Sequence, residues 1–238
     1  MSLIAQGWRR VARIAGIAWV AWAVALTILA GELIPPVVIV AAVMMLAWLA
    51  TEWKPNRISL TVFGVLSLVV IVLNAPFIAG DLAHPESAWG FNTTTLPVLL
   101  AAAGILVGLS VWWGALTERA SARALVVLGG VFVAGLALSV VAAMGVESDT
   151  AQAGDLGIVA KRADYTPEAL TASAGTVAIF VENQDSFRHT FAIAALDLEI
   201  EVPGNTDRRI EVALHPGTYD FLCTVPGHDS MTGTITVG

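Results

Sequence analysis

The sequence predicts an α-helical membrane bundle of five spans followed by a small all-β domain, a sandwich or small barrel. Three observations carry this. The chain is 57% hydrophobic and only 13% charged, with mean hydropathy +0.78. Soluble domains run near a quarter charged, so much of the chain belongs in lipid. The character then changes along the sequence: all eight tryptophans lie at or before Trp113, and both tyrosines lie after Ala160. Residues 147–238 hold 14 acidic and 5 basic side chains, a net of −9, whereas residues 1–146 hold 5 and 7, a net of +2, which together give the chain's −7. Finally, the C-terminal part breaks into short runs rich in Val, Ile, Thr and Phe, separated by turn residues.

The expected spans are Val11–Ala30, Pro35–Ala50, Ile58–Phe77, Leu96–Leu116 and Ala124–Met144. A span needs about 20 apolar residues at a 1.5 Å rise to cross roughly 30 Å of hydrocarbon. The second is short and opens on Pro35-Pro36, which a first helical turn tolerates because the missing N–H has no intrahelical partner there. Span one is too long for the apolar core of a cleaved signal, and no small-x-small site stands out after it, so it is read as retained.

Basic residues set the orientation. Arg9, Arg10 and Arg13 precede span one, Lys54 and Arg57 follow span two, and Arg119 and Arg123 follow span four. The intervening turns, with Glu32 and then Asp81 and Glu86, have no base. This alternation predicts a cytoplasmic N-terminus and an extracytoplasmic C-terminal domain. Trp8, Trp48, Trp53, Trp112 and Trp113 fall at the expected inner ends, where amphipathic rings favour the headgroup layer.

The spans carry little chemistry. None holds Asp, Glu, Lys or His, the usual marks of an ion or proton path. Ser67 and Asn74 are expected to hydrogen-bond between helices. Gly104 and Gly108 form a small-xxx-small pair that permits close approach, within the bundle or to another subunit.

Three segments follow: residues 1–146 as the five-span domain, 147–155 as a polar linker, and 156–238 as the β domain. As a flexible coil the linker's ends would sit roughly 15–18 Å apart. Strands are expected at "GIVAKRA", "TVAIFVEN", "HTFAIAAL", "RRIEVAL", "TYDFLC" and "TGTITV". One cysteine excludes a disulfide framework, so so small a domain relies on its core or on a metal.

The stretch "FLCTVPGHDSM" supplies Cys223, His228 and Met231 on one loop. His₂Cys with a weak axial Met is the ligand set of a blue-copper electron-transfer site. His189, at the start of an expected strand, is well placed to be the second imidazole. Taken singly, each residue reads more simply as core or surface. Together, on a strand-rich domain, they read as metal ligands. His84 and His215 stand outside the set.

The β domain resembles the cupredoxins. "YTPEALTASAGTVAIFVENQDSFRHTFAI" is similar to the family's opening strands and first ligand histidine, and "LHPGTYDFLCTVPGHDSMTGTITV" to its Pro-Gly turn, ligand loop and last strand. The resemblance implies a Greek-key sandwich holding one type 1 copper on His189, Cys223, His228 and Met231. It also implies an exposed His228 ring edge as the electron port, in an apolar surround of Phe187, Val225 and Pro226. Two residues separate His228 from Met231 where the family commonly has three or four. Thr190 stands where asparagine often ties the ligand loops together. The resemblance does not extend to the spans.

Copper enzymes of this kind need more than the chain has. A multicopper oxidase or copper nitrite reductase commonly flanks the cysteine with histidine, but here the flanks are Leu222 and Thr224; a binuclear copper centre needs two cysteines. The expectation is therefore a membrane-bound electron carrier or redox-complex subunit rather than an enzyme. A copper-delivery protein, a chaperone or scavenger, is the alternative. The implied partners are the lipid bilayer, a redox protein such as a basic cytochrome or an oxidase complex, and complex subunits seated on the bundle, with no nucleic acid.

Overall fold

The computed structural model describes residues 4–30, 33–112 and 118–238. Glu32, Trp113 and the expected end of span four at Leu116 lie outside them. Among the described residues six helices come first: α1 (Ile4–Ala30), α2 (Pro35–Trp53), α3 (Arg57–Leu73), α4 (Ala75–Ala83), α5 (Ala88–Ser110) and α6 (Glu118–Met144). Four of these, α1, α2, α5 and α6, are each long and apolar enough to cross a membrane. A fifth span is formed if α3 and α4, bent by 67° at their break, count as one. The chain divides into two compact units, Met1–Ile78 with Asn92–Ala137, and Ala79–Phe91 with Leu138–Gly238.

In the first unit α1 buries Trp8, Val11, Ala12, Ala15, Trp19 and Ala23, a stripe at three- and four-residue spacing. It meets Met44 and Ala47 of α2. A Cβ on Gly16 would lie 2.2 Å from Trp48 Cγ, so the indole rests on bare backbone. Asn56 caps α3 in a reciprocal box with Ser59. Gly104 and Gly108 of α5 pack within the bundle: a Cβ on Gly64 of α3 would lie 2.7 Å from the Gly108 Cα. Ser67 and Asn74 depart from expectation. Each bonds its own helix, to the Phe63 and Val70 carbonyls at 2.8 Å. With its hydroxyl back-bonded, Ser67 can sit against Gly104; Asn74 stands at the break that ends α3, just before Pro76.

The second unit is built on nine strands: β1 (Leu156–Ala160), β2 (Tyr165–Thr166), β3 (Ala169–Ala172), β4 (Gly175–Asn183), β5 (His189–Ile193), β6 (Leu198–Val202), β7 (Asp207–Leu214), β8 (Gly217–Leu222) and β9 (Thr232–Val237). They form two sheets, β2-β1-β4-β7 and β3-β9-β8-β5-β6. β1 runs parallel to β4 and β3 parallel to β9; the other pairs are antiparallel. Repeated crossings between sheets make a sandwich. Alternate residues of β1, β4, β8 and β9 fill the space between with Ile158, Ile179, Val181, Phe221 and Ile235. Tyr165, Phe191 and Phe221 form an aromatic cluster with centroids 5.2–6.4 Å apart. The buried Tyr165 hydroxyl donates to the Thr190 carbonyl, so the ring's polar end is satisfied against β5.

Residues 147–155 are not a free coil. Asp149 N–H donates to the Asp207 carbonyl, Asp207 N–H to Ser148 Oγ, and Arg209 pairs with Asp155 at 3.0 Å, so the stretch lies along β7. The segment Ala79–Phe91 also belongs to this unit. Arg188, 7% exposed, is held by Glu201 at 3.0 Å and lies 3.9 Å from Asp81, where a Cβ on Gly80 would come within 2.7 Å of its Nη2.

Candidate metal centre

The centre forms at one end of the sandwich, where β5 begins and the loop from β8 to β9 returns. Asn183, buried at the end of β4, shapes the turn before β5. Its amide donates to the Phe187, Val202 and Pro203 carbonyls, and its oxygen accepts from Asp185 N–H. A Cβ on Gly204 would lie 2.2 Å from the Ser186 carbonyl oxygen, so this turn needs a residue without one beside it. The result delivers His189 fully buried at the first position of β5.

The β8–β9 loop is tied to itself. Cys223 N–H donates to the Met231 carbonyl at 3.0 Å, and Met231 N–H donates to the His228 carbonyl at 2.8 Å. The two-residue gap between His228 and Met231 is thus a closed turn. Gly227, at φ +89°, takes a left-handed conformation that a side chain would resist.

These elements converge the candidate donors. One ligand atom each of His189, Cys223 and His228 lies within 4.8 Å of the others. Cys223 Sγ is 3.8 Å from His189 Nδ1 and 3.5 Å from His228 Nδ1. The imidazole centroids are 4.9 Å apart, with Phe187 5.1 and 5.5 Å from the two rings. Cys223 is 4% exposed and Met231 is fully buried, whereas His228 is partly exposed. His215, in the β7–β8 turn, and His84, paired with Glu86 at 2.9 Å, lie outside this cluster.

The surroundings favour an anionic sulfur. Burial alone pushes the Cys223 thiol up; the two histidines and the Thr190 and Val225 N–H groups outweigh it and bring it down to about 5. Burial pushes His189 down, but the Asp185 carboxylate and Cys223 more than compensate, leaving it raised. Burial likewise works to raise Asp185, and hydrogen bonds from His189, Arg162 N–H and Ala163 N–H lower it overall. A thiolate and two imidazoles on one centre, with a thioether on the same loop, fit copper.

Asp185 was not anticipated as part of the site. Its Oδ2 is 2.8 Å from His189 Nε2, on the ring edge opposite the centre, and fixes the orientation of that imidazole. "NQDS" reads in the sequence only as a turn. Thr190 does take the tying role: its Oγ1 accepts from Thr224 N–H at 2.7 Å, joining β5 to the ligand loop.

Residues 133–237 match the family model of the cupredoxin-like domain. The C-terminal domain is cupredoxin-like. Among solved structures, a reduced amicyanin variant is 17% identical over 37% of this chain and 86% of its own, with TM-score 0.32. The Cu(I) form of another amicyanin variant is 18% identical over 40% of this chain and 95% of its own, also with TM-score 0.32. The comparison with curated proteins finds no match. The cupredoxin-like domain thus carries the His189–Cys223–His228 cluster, suited to one copper, in its β5 and β8–β9 elements.

Proposed function

We propose that this chain is a membrane-held single-electron carrier whose cupredoxin-like domain binds one type 1 copper on the extracytoplasmic side. The observation that carries the reading is the convergence of His189, Cys223 and His228 in a largely buried cluster. In this reading they are the strong ligands and Met231 is the weak axial one. Copper, when bound there, supplies a one-electron couple.

The chain's own residues do the rest. Asp185 holds His189 in one orientation, and Thr190 locks the ligand loop to β5. Phe221, Val225 and Met231 are buried and keep water from the sulfur side. His228 is the exposed edge, flanked by Phe187 and by exposed Pro226, and is the port for electrons. The net −9 of residues 147–238 steers basic redox partners toward the domain at low salt. The helical part holds the domain at the membrane and provides a surface for subunits of a redox complex. Buried ligands favour a carrier, which keeps its metal, over a delivery protein, which must give it up.

Two lysines make the sidedness directly testable. Lys54 lies in the basic turn after α2, and Lys161 is exposed on the β domain. An impermeant amine reagent added to intact cells is expected to modify Lys161 and spare Lys54, and the copper-loaded protein to take up one electron per chain in a potentiometric titration. Modification of Lys54 from outside would reverse the orientation; a chain that takes up no electron would remove the carrier role.

A further inference from the structure

A chain of hydroxyls runs from the surface to the candidate thiolate. Exposed Glu199, on β6, accepts from Thr224 Oγ1 at 2.6 Å. Thr224 Oγ1 is 2.9 Å from Thr190 Oγ1, and Thr190 Oγ1 is 3.7 Å from Cys223 Sγ. The Thr190 N–H separately donates to that sulfur at 3.4 Å.

Counting protons fixes the directions. A carboxylate only accepts, and each threonine hydroxyl has one proton to give. Thr224 gives its proton to Glu199, so its oxygen is the acceptor in the 2.9 Å contact with Thr190. Thr190 must then donate to Thr224, and it has no second proton for Cys223. We infer that Glu199 is a positioning residue for the metal centre: through Thr224 it turns the Thr190 hydroxyl away from the Cys223 sulfur and leaves that sulfur only backbone donors, the Thr190 and Val225 N–H groups.

The consequence rests on the copper reading above. A hydrogen bond to the thiolate stabilises negative charge on sulfur, and reduction of copper leaves more of that charge there. Withholding one therefore keeps the reduction potential low. Without Glu199, Thr224 turns its proton to Thr190, and the Thr190 hydroxyl is released to the sulfur.

The test is a set of variants of the full-length, copper-loaded protein. Glu199→Ala and Thr224→Val should each raise the potential, shifting the reduction equilibrium by roughly two- to tenfold, the effect of one hydrogen bond. Their combination should shift it no further. In a Thr190→Val background, which keeps the N–H but has no hydroxyl, Glu199→Ala should have little effect. The thiolate-to-copper band should move in the two single variants and stay in place when Glu199→Ala is added to Thr190→Val. In the metal-free protein, proton NMR should find the Thr190 hydroxyl proton nearest Thr224 in the parent and nearest the Cys223 β-protons in Glu199→Ala. An equal rise with and without the Thr190 hydroxyl would show a simple field effect of the lost charge and overturn the relay, as would no rise at all or an unmoved hydroxyl proton. Loss of the blue band in the parent is a different failure, that of the copper reading; the NMR comparison still decides the proton direction.

Discussion

Cys223→Ala is expected to abolish the thiolate-to-copper absorption and to weaken copper binding by more than about 100-fold, beyond what loss of a ligand's hydrogen-bond partner costs. The sulfur lies between the two imidazoles, 3.8 and 3.5 Å from their Nδ1 atoms, and the chain has no second cysteine to take its place. The domain should still fold, since the change removes one buried sulfur and leaves the aromatic cluster intact. Visible absorbance and copper content after dialysis against a competing chelator check this. A variant that stays coloured would place the thiolate ligand elsewhere and refute the assignment.

Phe221→Ala is expected to destabilise the β domain by about 3–5 kcal/mol, the usual cost of emptying a buried phenyl site. Its ring is fully buried, 5.3 Å from Tyr165 and 5.2 Å from Phe191 by centroids. It also lies on the bare backbone of Gly233, where a Cβ would come within 2.3 Å of Cζ. Packing on three sides leaves little that can collapse into the void. A loss of that size is a large share of the roughly 5–15 kcal/mol typical of a domain. Denaturant unfolding of the metal-free protein, followed through Tyr165, is the measurement, because bound copper would add its own linkage. Phe221 also lies two residues before Cys223, so copper affinity should fall with it. A loss below about 1 kcal/mol would mean that the cluster is not the domain's core.

The candidate ligands stood out because three of them share one eleven-residue loop, where chemistry can be read without knowing the fold. His189 was legible because it opens a continuous apolar run just after a turn. Six of the nine strands were legible for the same reason, each marked by turns, but β6 was missed although it is as long as β1 and β5. β2 and β3 were not, since two and four residues give no period. The break at Asn74 was hidden by hydropathy, which continues through Pro76 into α4 even though the helix direction does not. The pinning of residues 147–155 and the contacts of Asp185 and Glu199 depend on partners set by strand register and turn shape. Glu199 reaches Thr224 because β6 pairs with β5 and places it opposite Ala192, which pairs on its other side with Leu222, two residues before Thr224. No local pattern in "LDLEIEV" encodes that.

The most direct measurement is a titration of the metal-free, full-length protein with Cu(II), followed in the visible and then through repeated reduction and reoxidation. One equivalent per chain is expected to bring up an intense thiolate-to-copper band that bleaches on reduction and returns on reoxidation, with the metal retained throughout. A protein that stays colourless with copper bound, or that loses its copper as it cycles, would contradict a type 1 electron-carrying centre in this domain.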